Sequence, residues 1–372
     1  TYVVKSTQKT GSLKVVQTAY IGSIKKVLTS NVVYVGRLWT SGKATLRYTD
    51  ANQSAVEVVL PQILPAPASV EYSWLRDNFD IYSDGTKTRT ISLTDRGSTL
   101  AAKIVVKAPV GYTGITLLTA DVEPAAVTRT YEQVWSDEFS GTAGSTVNET
   151  FWHGENGTGS DQGLRGWGNN ELQYYKQENA VVSDGLLTIT AKSENFNTSN
   201  YTSSRIKTQG IKSWKYGRID VRAALPYGQG IWPAIWMLGD NITSAGWPAC
   251  GEIDIMELIG GAGANDRTVH GTVHWSNAGA HAQYGGSKAL TSGKFADNFH
   301  VFSITWDANS IHWLIDNVQY HVVDTSPAEM DEFREKFFLI LNVAVGGNWP
   351  GSPNASTIFP QKMYVDYVRV FQ

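Results

Sequence analysis

Glu252, Asp254 and Glu257 are the residues of this chain best placed to do chemistry together, because they lie within six consecutive positions. The residues between them are apolar, which predicts a half-buried β-strand. In a regular strand, side chains alternate between two faces, so Glu257 would point away from Glu252 and Asp254. A β-bulge over Ile255 and Met256 would return Glu257 to their face. The segment therefore predicts either a bulged strand with three converging carboxyl groups or an ordinary strand with solvated acids.

The bulged arrangement would suit cleavage of a glycosidic bond. Glu252 and Glu257 would then be separated by the equivalent of four residues, about 13 Å between Cα atoms. Their long side chains could lean together over Asp254, toward the ~5–5.5 Å between carboxyl groups that retaining glycosidases use. Repulsion among three carboxylates would keep at least one of them protonated near neutral pH, as a general acid requires.

The composition argues against several other classes of function. Charged residues make up 17% of the 372 residues and the net charge is −3, which does not suit a nucleic-acid-binding protein. No apolar run approaches the ~20 residues that cross a bilayer. The sequence contains no His-Glu-x-x-His or paired-Cys pattern for a catalytic zinc and no Gly-x-Ser-x-Gly elbow of a serine hydrolase. We expect a monomer that needs no cofactor for catalysis.

Tryptophan is distributed unevenly along the chain. Eleven of the 13 tryptophans follow residue 130, and all seven histidines follow residue 150. Flat indole faces suit the apolar faces of sugar rings, although at least half of these tryptophans should be core residues. The second part of the chain is therefore the better candidate for sugar binding.

The sequence also gives indications of the cellular compartment in which the protein acts. Cys250 is the single cysteine, so no intrachain disulfide can form, and we expect it to be buried beside the acidic strand. The chain starts at Thr1 without a Met or an apolar leader, which suggests that a targeting segment is absent from this sequence. Seven Asn-x-Ser/Thr triplets could mark glycosylation or reflect composition alone. We expect a secreted, cell-surface or periplasmic protein.

Residues 1–125 predict short β-strands rich in Val, Ile, Thr and Tyr and separated by turn residues. This pattern favours a small immunoglobulin-like β-sandwich. Residues 64–68 could be a linker between two subdomains or a connection within one sandwich, and we favour the connection. Residues 124–126 predict a hinge to the second part. The predicted strands are 12–20, 26–35, 44–48, 55–60, 88–93 and 102–106.

Residues 130–372 also predict an all-β structure, in which only residues 328–336 have helical character. About 240 residues of strands with long Gly-rich loops favour a large two-sheet jelly roll. The predicted strands are 186–192, 217–223, 252–258, 268–274, 300–306, 311–315, 338–345 and 364–371.

The acidic strand and its surroundings resemble glycoside hydrolase family 16, in the laminarinase-like form that carries a bulged acidic motif. Several sequence blocks support the resemblance because they follow one another in the order typical of that family. Residues 1–125 show no resemblance to a family that we can name, and they could be a carbohydrate-binding module or, as we favour, a spacer. The blocks are 135–139 (WSDEF), 166–175 (GWGNNELQYY), 201–206 (YTSSRI), 216–218 (YGR), 230–238 (GIWPAIWML), 251–257 (GEIDIME), 343–351 (VAVGGNWPG) and 365–370 (VDYVRV).

The resemblance implies a jelly-roll sandwich and endo-hydrolysis of β-1,3-glucan, with mixed-linkage β-1,3-1,4-glucan as a further substrate. It implies that Glu252 is the nucleophile, that Glu257 is the acid and then the base, and that Asp254 hydrogen-bonds the nucleophile. Two alternatives stay open. Similar motifs occur in enzymes that act on agar and carrageenan, and glucan-recognition relatives on the same sandwich lack one or both glutamates, which are both present here.

The resemblance also implies substrate-binding roles for Asn170, Arg205, Trp232 and Trp236. His274 closes the predicted strand after the acids, and we expect it to face the cleft as a further substrate-binding residue. We favour Trp232 as the stacking platform, whereas either tryptophan could be a core residue. Arg205 could instead be a structural ion-pair partner, and His274 could be a hydrogen-bonded structural residue. Trp247 precedes the acidic strand and could form a cleft wall or only cap the core.

A structural calcium ion is a further implication of the resemblance. The matching groups are the side chain of Asp366 and backbone carbonyls near Glu138 and Gly185, whose hard oxygen atoms suit calcium. The same carbonyls could equally serve strand pairing.

Overall fold

The structure is a computed structural model, in which the chain separates into two compact units, Thr1–Thr128 and Arg129–Gln372. The predicted hinge at residues 124–126 lies outside the residues that the structure describes. Residues 64–68 lie within the first unit, as expected for a connection. The described residues are 11–13, 16–21, 24–29, 33–35, 38–40, 42–51, 53–81, 85–91, 95, 98–110, 113–122, 131–263 and 265–372.

The first unit contains a four-stranded sheet in the order β10-β9-β12-β13 and a three-stranded sheet in the order β11-β7-β6, with the pairs β1-β4, β2-β3 and β5-β8. Its strands are β1 (Gly11–Leu13), β2 (Val16–Ile21), β3 (Ile24–Thr29), β4 (Val33–Val35), β5 (Trp39–Thr40), β6 (Thr45–Tyr48), β7 (Ala55–Val59), β8 (Ile63–Leu64), β9 (Ser69–Arg76), β10 (Phe79–Ile81), β11 (Thr88–Thr90), β12 (Leu100–Lys107) and β13 (Ile115–Leu118).

Two predictions for the first unit were wrong in detail. The predicted strands 12–20 and 26–35 each divide into two shorter strands. The longest unpredicted strand is β9, whose SVEYSWLR sequence alternates small or polar residues with larger ones only over its first six positions. The immunoglobulin-like topology stays a prediction.

In the described part of the second unit, most of the regular secondary structure consists of β-strands. They are β14 (Gln133–Asp137), β15 (Ser145–Thr146), β16 (His153–Gly154), β17 (Gln173–Tyr175), β18 (Ala180–Ser183), β19 (Leu186–Phe196), β20 (Ser199–Ser203), β21 (Arg205–Lys207), β22 (Gly217–Ala224), β23 (Ile231–Gly239), β24 (Glu252–Glu257), β25 (Thr268–Asn277), β26 (Ala280–Ala289), β27 (His300–Trp306), β28 (Ser310–Ile315), β29 (Val318–Asp324), β30 (Phe337–Val345) and β31 (Gln361–Phe371). One α-helix, α1 (Ile242–Ala245), and the 3₁₀ helices Ser160–Gln162, Arg165–Gly168, Gln177–Asn179, Asn265–Arg267 and Ala328–Arg334 complete it.

These strands form two large sheets. An eleven-stranded sheet has the main order β15-β18-β19-β31-β22-β27-β28-β29, and a seven-stranded sheet has the order β16-β21-β30-β23-β24-β25-β26. Trp313 of β28 and Phe302 of β27 in the first sheet are fully buried, as is Ile340 of β30 in the second. The apolar faces of both sheets are therefore withdrawn from water, which is the main force that holds such a fold together.

All eight strands predicted for this unit are present, but ten others were missed, of which the longest are β23, β26 and β29. β26 lies at the edge of its sheet and is largely exposed, so its AHAQYGGSKA sequence carries no apolar alternation. The predicted helical segment is the 3₁₀ helix Ala328–Arg334. Within the described part of the chain, no helix is long and apolar enough to cross a membrane.

Candidate active site

The acidic strand β24 contains the predicted bulge. Between Asp254 and Glu257 its pairing with both neighbouring strands shifts by one residue, so that Ile255 and Met256 share one position. The residues opposite Glu252, Asp254 and Glu257 are spaced two apart on each neighbour, so all three acids share one face of the sheet. The cross-strand triplets are Leu238–Glu252–His274, Trp236–Asp254–Thr272 and Ala234–Glu257–His270.

Packing from the other sheet supports the bulge. The Trp313 indole is fully buried, and its Nε1 donates a hydrogen bond of 2.7 Å to the backbone carbonyl of Asp254. Gly271 lies opposite the bulged pair, where an added Cβ would be 2.3 Å from Cδ1 of Trp313. A side chain at position 271 would therefore displace the tryptophan that holds the acidic strand from beneath.

The three acids line one cleft of about 1100 Å³ on the seven-stranded sheet. Glu252 and Glu257 are half-buried, and the Asp254 side chain between them is 3% exposed. The carboxyl groups of the two glutamates therefore do not point to opposite faces of the sheet, which would have excluded joint action on one sugar.

Burial raises the pKa values of all three carboxyl groups, and repulsion adds to this effect at the two glutamates. Burial raises the pKa of Glu252 to about 8, with a further contribution from the charge of Asp254. Burial also raises the pKa of Asp254 to about 8. The pKa of Glu257 is well above its usual value because of burial and of the charges of Asp254 and Glu252. Glu257 is thus held in the protonated form that a general acid needs.

An indole N–H group is directed at each glutamate. Trp247 Nε1 donates to Glu252 Oε2 at 2.9 Å, and Trp232 Nε1 donates to Glu257 Oε1 at 3.1 Å. Trp247 is 49% exposed, so it forms a cleft wall rather than part of the core. These two bonds restrict the carboxyl groups to the orientations in which they face the cleft.

His274 lies in the cleft beside the acids. Its Nε2 is 3.2 Å from Asp254 Oδ2 and 3.8 Å from Glu252 Oε1. Its Nδ1 is 2.9 Å from Nε2 of His281, and the two rings stack with centroids 5.1 Å apart. His281 was not among the residues predicted from the sequence, because nothing in an exposed edge strand indicates that one of its side chains reaches a residue on β25.

Arg205 both lines the cleft and forms an ion pair, with Nε 2.6 Å from Glu155 Oε2. Its guanidinium lies between two indole rings, 4.7 Å from the ring centroid of Trp167 and 4.9 Å from that of Trp236. Trp236 in turn donates from Nε1 to Asn342 at 2.7 Å. Arg205 therefore has little freedom to move. It is both a cleft residue and a structural ion-pair partner, which are the two roles that the sequence left open.

Trp232 and Asn170 differ in their relation to the cleft. Trp232 lines it and contacts Trp349 edge to face, with centroids 5.9 Å apart. Trp349, which is 41% exposed, was part of a sequence block but was not predicted as a site residue. Asn170 is exposed, bonds Asn348 at 2.7 Å and is not among the described residues that line the cleft, whereas Asn169 is.

The two carboxylates near the predicted calcium site are engaged in other contacts. Asp366 Oδ2 accepts a hydrogen bond of 2.5 Å from Arg222, and the Glu138 carboxylate is held by Arg369 at 2.9 and 2.8 Å. Gly185 lies in the turn between β18 and β19 with a φ of +76°. This set offers one carboxylate whose charge Arg222 already balances, so calcium binding here stays a prediction.

Cys250 is fully buried next to the acidic strand, as predicted. Burial and the charge of Glu252 raise the pKa of its thiol to about 12, so it is not a thiolate nucleophile at physiological pH.

The second unit has two half-buried glutamates on either side of a buried aspartate, and tryptophans line the cleft that holds them. This arrangement on a two-sheet β fold is that of a carbohydrate-cleaving enzyme. The chain matches the model of Glycosyl hydrolases family 16 over residues 168–369, which is more than half of its length. The chain belongs to this family, and the jelly-roll fold and the family resemblance predicted from the sequence are confirmed.

Individual relatives agree with the assignment. The chain is 42% identical to the beta-glucanase of Rhodothermus marinus over 65% of this chain and 85% of that protein. It is 44% identical to the clotting factor G alpha subunit of Tachypleus tridentatus over 65% of this chain but only 34% of that protein. Among solved structures, it resembles the laminarinase catalytic domain of Thermotoga maritima MSB8 with 45% identity and a TM-score of 0.60, over 66% of this chain and 99% of that domain.

Proposed function

We propose that this chain is a retaining endo-β-1,3-glucanase that uses Glu252 as nucleophile and Glu257 as acid and base. The observation that carries the proposal is the bulge in β24, which aligns both glutamates and Asp254 on one face of the cleft. The separate indole donors of the two glutamates support two distinct roles.

In the first step, the Glu252 carboxylate attacks the anomeric carbon while the glycosidic C–O bond breaks. The Glu257 carboxyl group gives its proton to the departing oxygen, and a glycosyl ester of Glu252 forms. In the second step, Glu257, now ionised, takes a proton from water as the water attacks the same carbon. The ester breaks, Glu252 leaves as a carboxylate, and the configuration of the sugar is retained.

Asp254 controls where the protons lie in the empty cleft. It is more deeply buried than either glutamate, and its charge raises the pKa of both. Because the three groups titrate as a coupled set, loss of a proton by one makes loss by the next harder. This coupling favours a state with Glu257 protonated when Glu252 is ionised.

The names of the relatives support β-1,3-glucan of the laminarin type as substrate. Relatives named endo-1,3-1,4-beta-glycanases support mixed-linkage β-1,3-1,4-glucan as a second substrate. The cleft is lined by side chains from β21 across to β26, a path that can accept an internal stretch of a polysaccharide. We also propose that the enzyme is secreted and monomeric and that residues 1–125 act as a spacer.

The two roles are tested with Glu252→Ala and Glu257→Ala on an aryl β-laminaribioside with a good leaving group, in the presence of azide. Glu257→Ala should form the ester without acid assistance and release a β-glycosyl azide, because azide replaces water in the second step. Glu252→Ala should instead give the α-glycosyl azide by direct attack. The reverse product assignment would exchange the roles, and rescue of neither variant would contradict the mechanism.

Substrate class is tested by measuring reducing ends released from laminarin, mixed-linkage glucan, agarose and carrageenan side by side. Rapid loss of laminarin chain length should precede accumulation of short products if cleavage is internal. Binding of laminarin by the wild-type chain with no release of reducing ends would contradict the proposal and indicate a glucan-recognition protein.

A further inference from the structure

Asp254 Oδ2 is a buried carboxylate oxygen that accepts no hydrogen bond, although it lies 3.2 Å from His274 Nε2. The Asp254 side chain is 3% exposed, so water gives it little stabilisation. A buried anionic oxygen is costly unless a proton or a cation balances it. Two potential metal-ligand atoms therefore approach each other in a place where positive charge is favoured.

Glu252 supplies a third such atom. Its Oε1 lies 3.8 Å from His274 Nε2, while its Oε2 accepts the Trp247 indole N–H. The ligand atoms of Glu252, Asp254 and His274 all lie within 4.8 Å of one another. Tetrahedral zinc, with bonds of about 2.0–2.1 Å to nitrogen and oxygen, separates neighbouring ligand atoms by about 3.3 Å. The distance between Asp254 and His274 fits this edge, and Glu252 needs only a small side-chain movement.

His281 orients the His274 ring as a metal ligand. When His274 donates its Nδ1–H to His281 Nε2, at 2.9 Å, its Nε2 carries a lone pair directed at the carboxylates. The stacked rings, and Trp247 at 4.6 Å from the His281 ring, hold this orientation. Partners of this kind, which bond the second nitrogen of a metal-ligating histidine, raise metal affinity.

We propose that Glu252, Asp254 and His274 form a binding site for zinc or a similar transition-metal ion, with His281 orienting the His274 ligand. One imidazole and two carboxylates suit Zn²⁺, Co²⁺ and Cu²⁺. No second group of three or more such ligands occurs in the part of the chain that the structure describes. Because Glu252 is the proposed nucleophile, a bound ion would inhibit hydrolysis; this consequence rests on the proposed function, whereas ion binding does not.

The site is tested by calorimetric titration of the full chain, without an affinity tag, with Zn²⁺, and by the visible spectrum of the Co²⁺ form. We expect one ion per chain and the intense visible bands of Co²⁺ in a site with fewer than six ligands. His274→Ala should lower zinc affinity at least ~100-fold through loss of a direct ligand. His281→Ala should lower it about 10- to 100-fold through the ligand it orients.

His300→Ala is the matched control, because His300 also pairs with a carboxylate, that of Asp316 at 2.7 Å, on the other sheet. It should leave both stoichiometry and affinity unchanged. Zinc affinity unaffected by His274→Ala, or lost in His300→Ala, would overturn the proposal. If His274→Ala fails to fold by circular dichroism, Asp254→Asn takes its place with the same expected loss.

An assay of laminarin cleavage in EDTA separates this inference from the proposed function. Tight zinc binding by a chain that cleaves no laminarin would sink the proposed function and support the metal site. Cleavage of laminarin with no zinc bound at micromolar concentration would overturn the metal site and leave the proposed function standing.

Discussion

Two buried aspartates, one in each compact unit, differ in the charge of the side chains around them. Asp95 in the first unit is fully buried, and Arg89 Nη2 is 3.1 Å from each of its carboxylate oxygens, with Arg76 Nη1 at 3.4 Å from one of them. Asp254 in the second unit is 2% exposed, but its carboxyl neighbours are Glu252 and Glu257. The first aspartate is compensated by cations, whereas the second is placed among like charges.

This difference separates a structural charge from a functional one. A buried ion pair contributes mainly by avoiding an unpaired charge, so it has no need to change its protonation. Like charges at one site raise the pKa values of their carboxyl groups, which keeps protons available for transfer near neutral pH. Because both aspartates are buried, burial alone does not show which of them is functional. The sign of the carboxylate or guanidinium charges around them makes that distinction.

Asp95→Asn should have the largest effect on stability. It leaves two buried arginines without their carboxylate, so the first unit should lose roughly 3–5 kcal/mol of its free energy of unfolding. Calorimetry or limited proteolysis would follow the first unit, with the exposed Asp121→Asn as a control. Laminarin cleavage by the folded second unit should not change. A loss below about 1 kcal/mol would mean that the arginines do not depend on Asp95.

Asp254→Asn should show the reverse pattern, which is a loss of activity without a loss of stability. Removal of a like charge should leave the stability of the second unit equal or higher, while kcat on laminarin falls about 10²-fold because the proton balance of the glutamates is lost. Reducing-end release and Trp fluorescence in denaturant measure the two effects, since eleven of 13 tryptophans follow residue 130. Destabilisation of the size expected for Asp95→Asn would remove the distinction between the two sites.

The pH dependence of stability sharpens the comparison. Glu252 has a pKa of about 8 in the folded state against a usual value of 4.5, so the folded state holds more protons between these values. The stability of the second unit should therefore fall as pH rises from about 4.5 to about 8, by at most ~1.4 kcal/mol per pH unit for each such group. Urea unfolding at several pH values would detect the slope, and Asp254→Asn should flatten it. A slope of the opposite sign would contradict the raised pKa values.

Trp247→Phe should lower kcat/KM on laminarin about tenfold, because it removes the N–H donor to Glu252 while keeping an aromatic wall. Trp349→Phe is the matched control, since Trp349 lines the same cleft and its ring packs against Trp232 and His270. Equal effects of the two substitutions would assign the loss to sugar contacts rather than to the carboxyl group.

Of the changes considered, added calcium should have the smallest effect on the free energy of unfolding. If the ion binds near Asp366, added CaCl₂ should raise the free energy of unfolding by less than about 1 kcal/mol, because Arg222 already balances that carboxylate. Asp366→Asn should abolish the shift in a thermal unfolding experiment. A shift that survives this substitution would place the ion elsewhere.

Residues whose role depends on local geometry could be predicted. The bulge at Ile255 and Met256 followed from the period of a strand, and it brought Glu252, Asp254 and Glu257 to one face. β25 was predicted as a strand and its buried and less buried residues alternate, whereas β26 was missed because an exposed edge strand needs no apolar alternation. The family blocks indicated Arg205, Trp232 and Trp236 as cleft residues, and the position after the acidic strand indicated His274; all four line the cleft.

The strand period thus determined by itself that three acids converge, because alternation and a bulge involve only neighbouring residues. The partners of those acids were decided by tertiary structure alone. His281 reaches His274 across a hairpin, Trp313 supports Asp254 from the opposite sheet, and Arg205 is held by Trp167 and Glu155. Such contacts depend on strand register and sheet packing, which join residues that are distant along the chain and leave no periodic signal in it.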